Sequence, residues 1–100
     1  MDRPQTLLDQ VLDVLRAHQE AAKAAGAELI GVVGSIARGD AGADSDVDVV
    51  FDARDDLDYW RLGGLQMDLQ DALGRRVDLV DRLMMRPERW RYMAEDLVPL

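Results

Sequence analysis

The chain has 100 residues, 12 Lys and Arg against 20 Asp and Glu, a formal net charge of −8, and no cysteine. That length supports one domain, residues 1–100, around a single core. The acidity argues against a nucleic-acid backbone as partner, since such binding rests on Lys and Arg neutralising phosphates. The absence of cysteine excludes disulfides and thiolate metal sites, and a cytoplasmic setting is the expectation.

Apolar runs such as residues 29–33 are strand-sized and far short of a membrane span. Met1-Asp2-Arg3-Pro4 has neither the basic start nor the apolar stretch of a secretory leader, so none is expected. Of the 20 acids 16 are Asp, a poor helix former but a good cap, turn and metal-ligand residue. Residues 1–74 carry a net −9 and residues 75–100 a net +1, so the acid is concentrated before the last quarter.

In chain order, Leu7, Leu8, Val11, Leu12 and Leu15 recur at helical spacing and predict a helix from Pro4 to Ala25. Thr6 with Asp9, or Pro4 in the first turn, would start it, and Gly26 would stop it in the left-handed conformation. His18 is expected at the surface of this helix. Leu29 to Val33 reads as a buried strand running into Gly34-Ser35, then one helical turn, then turn residues from Asp40 to Ser45.

Asp46 to Asp52 alternates, with Val47, Val49 and Phe51 on one side and Asp46, Asp48, Val50 and Asp52 on the other. A second helix is expected from Asp55-Asp56 through Leu57, Trp60, Leu65, Leu69 and Leu73 to Gly74, weakened by Gly63-Gly64. Arg76 to Val80 is a third strand. Pro87 opens a last helix to about Leu97, with Trp90, Met93 and Leu97 as its buried side. The order predicts an α/β (α+β) fold, a small sheet covered by helices.

Two pieces carry chemistry. Gly34-Ser35 at a strand-to-helix junction offers backbone N–H groups and a hydroxyl to a phosphate, although a Gly-Ser turn alone is commonly structural. Asp46 and Asp48 stand on one side of a strand, where two like charges suit an oxygen-ligated cation such as Mg²⁺ or, alternatively, protect an exposed strand edge. Asp78, an acid inside an apolar strand, belongs beside other charged groups. If the strands are neighbours, the three Asp surround two metal ions. Asp81 reads as a turn or cap. The calcium-loop pattern Asp44-x-Asp46-x-Asp48 fails, because Val49 occupies the position that requires Gly.

Gly34-Ser35, ten residues, then Asp46-x-Asp48 resembles the signature of the nucleotidyltransferase superfamily that includes DNA polymerase β. The longer string Gly-Ser-Ile-Ala-Arg-Gly-Asp…Ser-Asp-Val-Asp-Val-Val is similar to its minimal nucleotidyltransferase branch. The resemblance implies a mixed sheet flanked by helices, Gly34 and Ser35 holding a nucleoside triphosphate, and Asp46, Asp48 and Asp78 binding two Mg²⁺. Arg38 matches the arginine of the family string and would reach the phosphates or pair with Asp40 or Asp44. Ser45, in the same string, counts as nucleotide-binding or as the shaper of the turn.

Members of this size resemble antitoxins of HEPN–MNT pairs, which implies transfer of AMP from ATP to a tyrosine of a HEPN toxin in a hetero-oligomer. The alternatives are a non-catalytic antitoxin that acts by binding, and an adenylyltransferase of a small hydroxylated molecule such as an aminoglycoside. The Arg86–Met93 region is either partner surface or an amphipathic helix packed on the core.

Overall fold

The computed structural model describes residues 5–100. Its elements are α1 (Leu7–Ala17), α2 (Gln19–Ala24), β1 (Ala27–Val33), α3 (Ser35–Arg38), β2 (Val47–Ala53), α4 (Tyr59–Leu73), β3 (Val77–Asp81), a 3₁₀ turn (Arg82–Met84), α5 (Pro87–Ala94) and β4 (Val98–Pro99). The sheet order is β3-β2-β1-β4. The pair β2–β3 is parallel, and β1 is antiparallel to both β2 and β4, which makes the expected mixed sheet with flanking helices.

The first helix begins with the capping box that Thr6 and Asp9 promise: the Asp9 N–H donates to Thr6 Oγ1 at 3.0 Å and the Thr6 N–H to Asp9 Oδ2 at 3.2 Å. Pro4 lies outside the described residues. The single helix expected to Ala25 is instead two, broken at His18. His18 Nδ1 bonds Val14 O at 2.7 Å, so this residue sits at a bend, half-buried. The bend turns Gln19 onto β1, where its amide donates to Leu29 O at 3.0 Å and accepts from Leu29 N at 2.9 Å. Gly26 does close α2, at φ +80.

The second long helix starts at Tyr59 rather than at Asp55-Asp56, because Asp58 is the residue that caps it, accepting from Trp60 N and Arg61 N. Leu62, Leu65 and Leu69 are buried, and Trp60, expected on that face, is 92% exposed. At about 100° per residue Trp60 lies nearly opposite Leu62. The last helix ends at Ala94 and buries none of its residues; Trp90 and Met93 are half-covered, and Leu97 lies beyond it. Arg82 holds this end of the fold by pairing with Asp52 on β2 while its guanidinium lies 5.5 Å from the Trp90 ring.

The core joins Val11, Leu12 and Leu15 of α1 to Val32, Val47, Val49, Phe51 and Val77 of the sheet and to the α4 leucines. The opposite side of the sheet is not only acidic, since Val33 and Val50 are buried there beside Asp48. Strand β4 was not expected; two residues carry no periodicity. It pairs Pro99 with Gly31 and Val98 with Val32.

Gly31 is what admits β4. A Cβ there would strike Val98 O and stand 2.9 Å from Pro99 Cα, both backbone atoms that cannot swing aside. Gly31→Val is therefore expected to expel β4 and cost about 1–3 kcal/mol, the usual range for overpacking. Urea unfolding measures the loss, and faster amide exchange at Leu100, whose N–H donates to Ile30 O at 3.0 Å, locates it.

Candidate active site

The first strand ends at Val33, and Gly34 turns the chain into α3 with φ +81 and ψ −156, a conformation that belongs to glycine. An added Cβ would lie 2.6 Å from Asp48 Oδ2, so the absence of a side chain at Gly34 makes room for that carboxylate. Ser35 opens α3, which Gly39 closes after four residues. The Gly-Ser junction and the Asp48 strand position thus meet, as the spacing of the motif implies.

Parallel pairing of β2 with β3 sets Asp48 level with Asp78, and antiparallel pairing of β1 with β2 sets Val33 level with Asp48. Residues level on neighbouring strands share a face, so Asp48 and Asp78 stand side by side. Asp46 is the exposed residue immediately before β2, one position short of the expected strand start. Burial raises the Asp48 carboxyl above its ordinary value, and the charges of Asp78 and then Asp46 push it further the same way, against a smaller opposing pull from Arg38. The carboxylates of Asp46 and Asp78, 32 residues apart in sequence, therefore both act on Asp48.

Among the described residues no group of three Asp, Glu or His side chains is already closed around a common point. Asp46 lies just outside the strand, and Asp78 has Arg76 Nε 3.6 Å from its Oδ1. The donor set itself fits a hard divalent cation: oxygen ligands only, like charges in mutual repulsion, one of them partly buried.

Arg38 reaches the site electrostatically but its guanidinium is engaged elsewhere. Nε donates to Asp40 Oδ2 at 3.2 Å and Nη1 to Asp96 Oδ2 at 2.9 Å. These two carboxylates, Asp96 first, raise its pKa further above the ordinary arginine value. The Asp40 pairing is one of the two alternatives foreseen; Asp96, 58 residues away, left no signal in the sequence. Ser45 serves its turn: its hydroxyl accepts from Gly42 N at 2.8 Å. Arg75, also unforeseen, clamps that turn by donating to Gly42 O at 3.0 Å and Ser45 O at 3.1 Å. Asp81 caps the 3₁₀ turn, accepting from Leu83 N at 3.0 Å.

A glycine-serine turn opposite paired strand carboxylates on a small mixed sheet is the arrangement of a nucleotidyltransferase. The chain belongs to the nucleotidyltransferase domain family, whose family model matches residues 9–98. It is 39% identical over 74 residues to the protein adenylyltransferase MntA of Thermococcus cleftensis, a match that covers 73% of this chain and 75% of that protein. It also resembles a solved minimal nucleotidyltransferase, with a TM-score of 0.69 and 32% identity over 89% of this chain and 95% of that one. A chain of a toxin–antitoxin crystal structure containing AMP-PNP superposes with a TM-score of 0.56 and 29% identity, covering 78% of this chain and 59% of its own. Among the described residues no helix is long and apolar enough to cross a membrane.

Proposed function

We propose that this protein transfers AMP from ATP to a tyrosine hydroxyl of a HEPN-type toxin and so acts as its antitoxin. The observation that carries the reading is the electrostatic pressure of Asp78 and Asp46 on Asp48, beside the side-chain-free Gly34. The MntA relative is named a protein adenylyltransferase, and the toxin–antitoxin relative was solved with an ATP analogue, which supports ATP as donor and a protein as acceptor.

In this reading Gly34 and Ser35 hold the triphosphate, while Asp46, Asp48 and Asp78 would hold Mg²⁺. The metal, when bound, neutralises phosphate charge and lowers the pKa of the acceptor hydroxyl. The tyrosine oxygen attacks the α-phosphorus and forms the new O–P bond as the bond from that phosphorus to the bridging oxygen breaks. Pyrophosphate leaves with that electron pair. The phenolic proton passes to Asp78, the half-exposed carboxylate next to Asp48, and from there to water.

The test is labelling of a co-expressed partner by the purified protein with ATP and Mg²⁺. Asp46→Ala and Asp78→Ala are expected to abolish labelling without unfolding the chain. A partner that stays unlabelled yet is neutralised by both variants would establish an antitoxin that works by binding alone.

Arg38 joins the phosphate site on leaving Asp96. Asp96→Ala is therefore expected to tighten ATP binding severalfold by calorimetry. The melting temperature should scarcely move, because an exposed ion pair contributes little to stability.

A further inference from the structure

The outer edge of β3 runs alongside the carboxylate face, and its backbone is only partly occupied. The Val47 N–H donates to Arg76 O at 2.8 Å, so the alternation of hydrogen-bonding direction turns the N–H and C=O of Val77, Leu79 and Asp81 away from β2. At Val77 both outward groups are taken by α4: Val77 O accepts from Gln66 Nε2 at 2.7 Å, and Val77 N donates to Gln70 Oε1 at 3.1 Å. The outward N–H and C=O of Leu79 have no such plug among the described residues.

Beside Leu79 opens a cavity of about 780 Å³, lined by Met84, Met85 and Met93 and by the charged side chains of Arg86, Arg89, Asp81 and Glu88. Met84 is 80% exposed. Arg86 and Arg89 make no ion pair with any described residue, in a protein whose net charge is −8. Of the two acids on this lining, Asp81 already accepts from Leu83 N at 3.0 Å, so the two unpaired guanidiniums, against Glu88, are what the lining offers to an acidic segment.

We propose that this edge is the acceptor site: an extended, acidic, tyrosine-bearing segment of the partner protein pairs with Leu79 as an added strand, its apolar side chains over the methionine-lined cavity and its carboxylates on Arg86 and Arg89. The inference rests on the reading of the chain as a protein-directed adenylyltransferase and adds where and how the acceptor docks. Main-chain pairing supplies affinity without demanding a sequence, and pockets for alternate side chains supply selectivity. The register follows from the sheet. A residue of the added strand level with Asp78 points to the same face as Asp78 and Asp48, about 5 Å from its neighbour. A tyrosine there brings its hydroxyl to the carboxylate face. The Gln66–Gln70 plug at Val77 stops the added strand just past that position.

The experiment uses α-labelled ATP with two probes, a random Glu–Tyr copolymer and a random Lys–Tyr copolymer, besides the co-expressed partner. The intact protein is expected to label Glu–Tyr in preference to Lys–Tyr. The double variant Arg86→Glu/Arg89→Glu, at two exposed positions, is expected to reverse that preference and cut Glu–Tyr labelling by about tenfold or more, with ATP affinity by calorimetry unchanged. Leu79→Pro removes the outward N–H at an edge position where proline is tolerated, and it should weaken Glu–Tyr labelling as well.

Equal labelling of the two copolymers, or labelling indifferent to the double variant, would overturn the proposal. So would a loss of ATP affinity in the double variant, which would assign the arginines to the nucleotide. A labelled partner with both copolymers unlabelled overturns this docking mode and leaves the proposed function standing; no labelling of any protein or copolymer overturns the proposed function itself.

Discussion

Asp48→Asn is expected to abolish nucleotidyl transfer and at the same time to raise the melting temperature of the metal-free protein. The two effects have one cause. Burial and the charges of Asp78 and Asp46 raise the Asp48 carboxyl above its ordinary 3.8, so the folded state holds this proton more tightly than the unfolded chain does. Stability then falls as pH rises from the unfolded value through the raised folded value, and above that value the whole penalty is present.

Asparagine keeps the shape and removes the charge. The variant should therefore melt higher than the parent at about pH 8 in a chelator, and the gap should shrink as the pH falls through the raised value toward the unfolded 3.8, because the folded carboxyl takes up its proton first. Magnesium with ATP should stabilise the parent and not the variant. Transfer should drop by at least about 10²-fold, the scale for removing one group that stabilises developing charge. A variant that melts lower than the parent in chelator would show that Asp48 is a structural acid, and the site would need another centre.

Gly34→Ala carries the second large effect. At φ +81 and ψ −156 a side chain is strained whatever the space, at a cost of order 1–3 kcal/mol. The space is also taken, because the new Cβ would lie 2.6 Å from Asp48 Oδ2. The carboxylate must swing away from its present place beside Asp78, so transfer should fall along with stability.

The double variant Gly34→Ala/Asp48→Ala separates the two terms. Without the carboxylate the clash disappears and only backbone strain remains, so the combined stability loss should be smaller than the sum of the single losses. Urea midpoints of the four proteins measure this. Strict additivity would show that the contact between Gly34 and Asp48 does not matter.

Much of this molecule is legible in its sequence. The α1 stripe of Val11, Leu12 and Leu15, the Thr6–Asp9 box, three of the four strands and the Gly34-Ser35 to Asp46-x-Asp48 spacing are all local patterns. Asp78 stands out because a charge inside Val77-Asp78-Leu79-Val80 needs charged company, and its level pairing with Asp48 supplies that company. Element ends were less legible, because caps compete. Asp55, Asp56 and Asp58 are all good caps by residue type, and only the path that brings Asp58 N to Ala25 O at 2.8 Å selects the last.

What the sequence by itself determined is the chemistry on offer: a glycine-serine turn, two aspartates at strand spacing and a third in a later apolar strand. These depend on neighbours within a few residues, where backbone periodicity acts. The tertiary structure alone decided which charges meet. It placed Asp96 on Arg38, Arg75 on the Ser45 turn, Gln66 and Gln70 on the β3 edge, and β4 against Gly31. It also set the burial and repulsion that raise the Asp48 carboxyl. Each of these joins residues remote in sequence or depends on shielding from water, and neither distance nor shielding exists until the chain has folded.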